Sequence, residues 1–100
     1  MFRWLNKQGV ASDSGFVVQS IDRFTIEYRE GTKKVSVEVE NGFLGEKPCV
    51  SILPSAFERW DGDPHNEEIP SQRQAEMHAN FRAAMEFQRL AVVVEAEASG

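Results

Sequence analysis

Apolar and polar residues alternate through the first half of the chain. A pleated strand produces that period, because successive side chains point to opposite faces. In RFTIEYRE, Phe24, Ile26 and Tyr28 fall on one face and Thr25, Glu27 and Arg29 on the other. In KVSVEVE, Val35, Val37 and Val39 face inward, and Ser36, Glu38 and Glu40 face outward. EGTK between them supplies the glycine of a tight turn, so the two segments predict a hairpin. GFVVQSI, opened by Gly15, predicts a strand before it, turned by ID or DR. Asn41-Gly42 is a turn dipeptide, after which GFLGEKP reads as a loop and CVSILP as a fourth strand closed by Pro54. SAFERW allows one helical turn with Phe57 and Trp60, at i and i+3, pointing inward.

Beyond Pro70 the period changes. Ser71 with Gln74 three residues later has the spacing of a capping box, and the proline stops a helix from continuing upstream. Met77, Phe81, Ala84, Met85 and Gln88 then form one stripe, with Arg73, Glu76, Asn80, Arg82 and Glu86 on the other faces. LAVVVEAE returns as a strand rich in β-branched residues. One apolar stripe needs one apolar surface to cover. The predicted fold is therefore α+β: an antiparallel sheet of about five strands, ββββαβ in outline, packed against one main C-terminal helix. The last strand can join either edge. At 100 residues, with no repeat or low-complexity linker, residues 1–100 make one domain.

Composition narrows the function. A hydrophobic fraction of 41%, with seven Phe and two Trp, is enough for a core. A net charge of -5 argues against nucleic acid or an anionic membrane as partner, since both demand a basic footprint. If charge selects a partner, that partner is basic. The single cysteine, Cys49 in PCVSIL, excludes an intramolecular disulfide and a cysteine zinc cluster, and reads as a small buried hydrophobe. The N-terminus has no apolar run of signal-peptide length, and nowhere do 18 apolar residues follow one another, so a reducing cytoplasm is the expected location.

The stretch WDGDPHNEE, residues 60 to 68, concentrates candidate chemistry. Asp61, Asp63, Asn66 and Glu68 imitate the start of a calcium loop. Pro64 stiffens the turn, the glycine is misplaced, and no bidentate glutamate lies at the required reach, so no metal is expected. Trp60 is either a loop anchor in the core or, if partly exposed, a binding anchor. His65 and His78 are the available imidazoles, and His78, three residues before Phe81, reads as a histidine at the core boundary. HExxH, GxSxG, P-loop and GxGxxG motifs are all missing, and Glu38 with Glu40 or Glu67 with Glu68 identify no acid–base pair. We therefore assign no catalytic residue and no cofactor, and do not read the chain as an enzyme. A rival enzymatic reading requires one histidine to titrate abnormally in a cleft. What remains is acidic surface: Glu58, Asp61, Asp63, Glu67 and Glu68 against Arg59, with Ser36, Glu38 and Glu40 on the outward strand face. With Trp60, Phe43 and Tyr28 nearby, this is either a solvated surface or a face for a basic protein, with Glu38, Glu40, Trp60, Asp61, Asp63, Glu67 and Glu68 as contacts.

The order of these features resembles small bacterial immunity proteins of polymorphic and contact-dependent toxin systems. The resemblance runs over roughly residues 12 to 95. It is carried by Gly15 and Phe16 opening a strand, Arg23 and Phe24, Tyr28 to Gly31 in a hairpin, Trp60, Asp61 and Pro64 in an aromatic turn, and Ala84 with Phe87 ending a helix. Asp63, between Gly62 and Pro64, lengthens that turn. The resemblance implies a cytoplasmic inhibitor that binds the toxic domain of a cognate effector, frequently a nuclease, and occludes its active site or docking surface. The alternative is an accessory or homodimeric structural protein, formed by pairing an edge strand.

Overall fold

The computed structural model describes residues 1–61 and 67–95. Strands β1 (Phe2–Asn6), β2 (Gly9–Ser12), β3 (Phe16–Asp22), β4 (Thr25–Glu30) and β5 (Lys33–Glu38) form a five-stranded antiparallel sheet in sequence order. A second sheet holds β6 (Glu40–Leu44), β7 (Lys47–Ile52) and β8 (Ala91–Val94) in the order β6-β7-β8. Between β7 and β8 lie a 3₁₀ turn, Pro54–Phe57, and the helix α1, Ser71–Phe87. The class is the expected α+β, with the antiparallel sheet and one C-terminal helix.

Register converts the alternating pattern into a core. Val10 pairs with Val18, Val18 with Tyr28, and Tyr28 with Val35, so one row of inward side chains crosses the sheet. Ile26 pairs with Val37 in the next inward row, and all six of these residues are buried. Two-residue loops join β4 to β5 and β6 to β7. Each has glycine first, Gly31 at φ 60° and Gly45 at φ 67°, the left-handed position a II′ hairpin turn requires.

Helix α1 buries Met77, Phe81, Ala84 and Met85, four of the five residues of the predicted stripe; the fifth, Gln88, is its half-buried C-cap. Phe57 joins the layers, with its ring edge-on to Tyr28 at 5.4 Å and to Phe81 at 5.8 Å. Polar contacts fix the helix on β4. The Tyr28 hydroxyl donates to Glu30 Oε2 at 2.5 Å and accepts from Asn80 Nδ2 at 3.0 Å. Arg73 donates to Glu30 Oε1 at 2.6 Å and also pairs with Glu76. At the far end, Phe87 packs on Phe2 and Trp4 of β1.

Several local readings are corrected. Phe24 does not share the buried face of Ile26 and Tyr28. It lies in the β3–β4 turn, 63% exposed, where its N–H donates to Asp22 Oδ1 at 2.9 Å. Asn41-Gly42 is not a turn, and GFLGEKP is not a loop: both belong to β6, the following turn and the start of β7. Asn41 Nδ2 donates to the Arg23 carbonyl at 2.5 Å, so its amide ties the two sheets together rather than closing a turn. The capping box does not form either. Pro70 is the N-cap, and Gln74 Nε2 instead donates to the Ile69 carbonyl at 2.8 Å. The strand after the helix joins neither edge of the five-stranded sheet; β8 runs parallel to β7 in the second one.

Candidate functional site

Val39, the residue between β5 and β6, borders two grooves where the chain passes from one sheet to the other. The first groove encloses about 610 Å³. Buried Val39 and Ile52 lie at its base, while Phe24 and the 47% exposed Leu53 form an apolar rim. Its charged residues are Glu38, Glu40 and Glu95, with no lysine or arginine among the lining. None of the three makes an ion pair among the described residues.

Glu38 and Glu40 were expected as contacts, and the fold places them together. They sit at the end of β5 and the start of β6, two residues apart across the chain's step between sheets. Glu95 was not anticipated. It reaches the groove because β8 pairs parallel with β7, and the Glu95 N–H donates to the Ile52 carbonyl at 2.8 Å. Adjacency of that kind depends on the helical crossover, and no local pattern signals it.

The rest of the acidic stretch has a different disposition. Trp60 lies in the core at 9% exposure, the structural one of its two readings, with Lys33 Nζ 5.8 Å from its ring centroid. Asp61 is bound to the edge of β5. Its N–H donates to the Lys34 carbonyl at 2.7 Å, and its Oδ2 accepts from the Ser36 N–H and hydroxyl. Glu67 pairs with Lys33 at 3.1 Å, and Glu68 is exposed, bridged through the backbone to Arg59. Asp63, Pro64 and Asn66 of the calcium-loop comparison lie outside the described residues, as does the candidate imidazole His65. The described part of this stretch thus covers an otherwise open sheet edge, a common means of protecting exposed backbone groups.

His78 Nε2 lies 3.1 Å from the Pro54 carbonyl and its ring stands edge-on to Phe57 at 4.9 Å, the boundary position expected for it. No group of three or more metal-ligating side chains converges among the described residues. No helix among those residues is long and apolar enough to cross a membrane. Comparison with known protein families, with curated proteins and with solved structures gives no match.

Three carboxylates, unpaired among the described residues, around an apolar base create a region of negative potential that a cationic side chain can enter.

Proposed function

We propose that this chain is a toxin-neutralising immunity protein that binds the basic surface of a cognate effector domain and acts by occlusion. The observation that carries the reading is the groove bearing Glu38, Glu40 and Glu95 with no lysine or arginine among its described lining, rimmed by Phe24 and Leu53. A nuclease surface that holds phosphates is basic, so an acidic groove with an apolar rim is complementary to it. Electrostatic attraction sets the association rate, and burial of Phe24 and Leu53 supplies affinity. Of the residues expected to make contact, Glu38 and Glu40 remain the principal ones, Glu95 joins them, and Asp61 and Trp60 support the fold.

The test is affinity capture from bacterial lysate with the wild-type chain and with a Glu38→Lys/Glu40→Lys/Glu95→Lys variant. The expected result is one basic protein, recovered stoichiometrically by the wild type and lost from the variant, whose toxicity is suppressed by co-expression of this chain. A partner retained by the variant, or one that is harmless to cells, overturns the reading.

A second reading has its own observation. Strand β6 is the edge of the three-stranded sheet, and every residue in it is exposed, including Phe43 at 75%. An open apolar edge is a template for another strand, so an accessory or homodimeric role is the alternative. Sedimentation across a wide concentration range, with Phe43→Lys as control, separates the two: only the homodimer gives a mass that rises with concentration and falls back in the variant.

A further inference from the structure

The second groove has the opposite character. It encloses about 830 Å³, and buried Ile26, Val39, Val50 and Met85 form its floor. Trp4 and Ile21, 52% and 54% exposed, stand along its walls. Lys7, Arg23 and Arg89 line it against one acid, Asp22, whose carboxylate already accepts the Phe24 N–H. None of these three cations makes an ion pair among the described residues, although the chain as a whole carries -5.

Arg89 makes the arrangement more pointed. Helix α1 ends in a Schellman motif, with the Leu90 N–H donating to the Met85 carbonyl and the Arg89 N–H to the Glu86 carbonyl, both at 2.9 Å. Arg89 occupies the left-handed position of that motif at φ 65°, where glycine is the usual residue. A side chain there costs backbone energy, and such cost tends to be retained where the side chain is used. Here the side chain belongs to the groove lining.

We infer that this groove binds an amphipathic anion, an apolar chain or ring system bearing a single carboxylate. The floor and the two exposed walls suit the apolar part, and Lys7, Arg23 and Arg89 suit the carboxylate. The residues after α1, Gln88 to Leu90, bring the negative end of the helix dipole to the groove, which opposes any anion there and a multiply charged polyphosphate more than a single carboxylate beside Lys7, Arg23 and Arg89. The inference does not rest on the immunity reading, which concerns the other groove.

Dodecanoate, held below its micellar concentration, is the probe, titrated into the full chain by calorimetry and followed through tryptophan fluorescence. Saturable one-to-one binding is expected, with 1-dodecanol weaker by about ten-fold for lack of charge. Arg89→Gly is the decisive variant, because it relieves the positive φ: thermal stability should hold or rise while dodecanoate binding weakens about five-fold. Arg23→Glu with Arg89→Glu should weaken binding ten-fold or more, on the order of two lost and reversed contacts. Arg82→Glu, an exposed cation outside the groove, should leave it unchanged. The inference is overturned by non-saturable uptake, by equal affinity for dodecanol, or by undiminished binding in the Arg89→Gly chain.

Discussion

The carboxylate of Asp61 accepts two hydrogen bonds from one residue of β5, from the Ser36 N–H at 2.8 Å and the Ser36 hydroxyl at 2.6 Å. Combined with the Asp61 N–H to Lys34 carbonyl bond at 2.7 Å, this binds the segment after Trp60 to the outer edge of the five-stranded sheet. Hydrogen bonds to a charged acceptor contribute more than neutral ones, so Asp61→Ala should lower unfolding free energy by about 1–2 kcal/mol. Ser36→Ala keeps the backbone donor and should cost about half as much. Urea denaturation measures both, and an Asp61→Ala chain indistinguishable from wild type refutes the structural role given to this carboxylate.

Tyr28 supplies a test by pH. It is the chain's one tyrosine, fully buried, and its hydroxyl is pushed far above the ordinary phenol value, first by burial and next by its hydrogen bond to Glu30. The folded state therefore holds this proton more tightly than the unfolded state. Its contribution is complete below the unfolded value near pH 10 and declines as pH rises beyond that, at up to about 1.4 kcal/mol per pH unit. Phenolate absorbance should stay absent above pH 10 until the chain unfolds, and then appear in one step with the loss of secondary structure. Gradual ionisation in the folded chain near pH 10 contradicts the burial. Tyr28→Phe should remove this part of the alkaline slope.

How much of this was legible depends on whether the deciding contacts are local. The alternation of Ile26, Tyr28, Val35 and Val37 identified β4 and β5, because one face of each is buried and period two has no other use there. The stripe from Met77 to Met85 identified α1 for the corresponding reason. Phe24 broke its own pattern because Asp22 closes a turn directly before it, moving the ring to the rim of the acidic groove. Strand β6 was missed because all five of its residues are exposed, leaving no apolar alternation, and because Asn41-Gly42 also satisfies turn chemistry. In β1, a pattern of one half-buried residue and four exposed ones is equally silent. Of the acidic groove, Glu38 and Glu40 could be picked out as outward carboxylates, whereas Glu95 arrives through the β7–α1–β8 crossover. Trp60 was open between two roles that only burial separates.

Phe57 is the residue on which the layers most depend. It is buried in the 3₁₀ turn, with its ring against Tyr28, His78 and Phe81. Phe57→Ala deletes an aromatic ring from a site bounded by both sheet and helix, and should cost about 3–5 kcal/mol, a large part of the stability of a domain this size. Phe57→Leu retains most of the volume and should cost markedly less, about 1–1.5 kcal/mol. A loss under about 1 kcal/mol for the alanine variant, measured by denaturation, means that the layers pack without this ring.

The acidic groove itself predicts a conflict between stability and binding. Glu38, Glu40 and Glu95 line one groove with no lysine or arginine among its described lining, so bringing them together on folding sets like charges near one another. Exposed like-charge contacts are destabilising by a few tenths of a kcal/mol each, so Glu38→Gln/Glu40→Gln/Glu95→Gln should raise unfolding free energy by about 0.5 kcal/mol at low salt. The gain should vanish near 1 M salt, where the screening length shrinks to about 3 Å. The same variant should associate more slowly with a basic partner, by about ten-fold at low salt, because the field that steers encounter is gone. Asp61→Asn should do the reverse, lowering stability through its bonds to Ser36 while leaving the association rate near that of the wild type. Opposite responses in these two variants, read by denaturation and by stopped-flow association at two salt concentrations, separate carboxylates kept for a partner from a carboxylate kept for the fold. Parallel responses mean that the groove acids are structural as well, and remove the basis for placing the contact there.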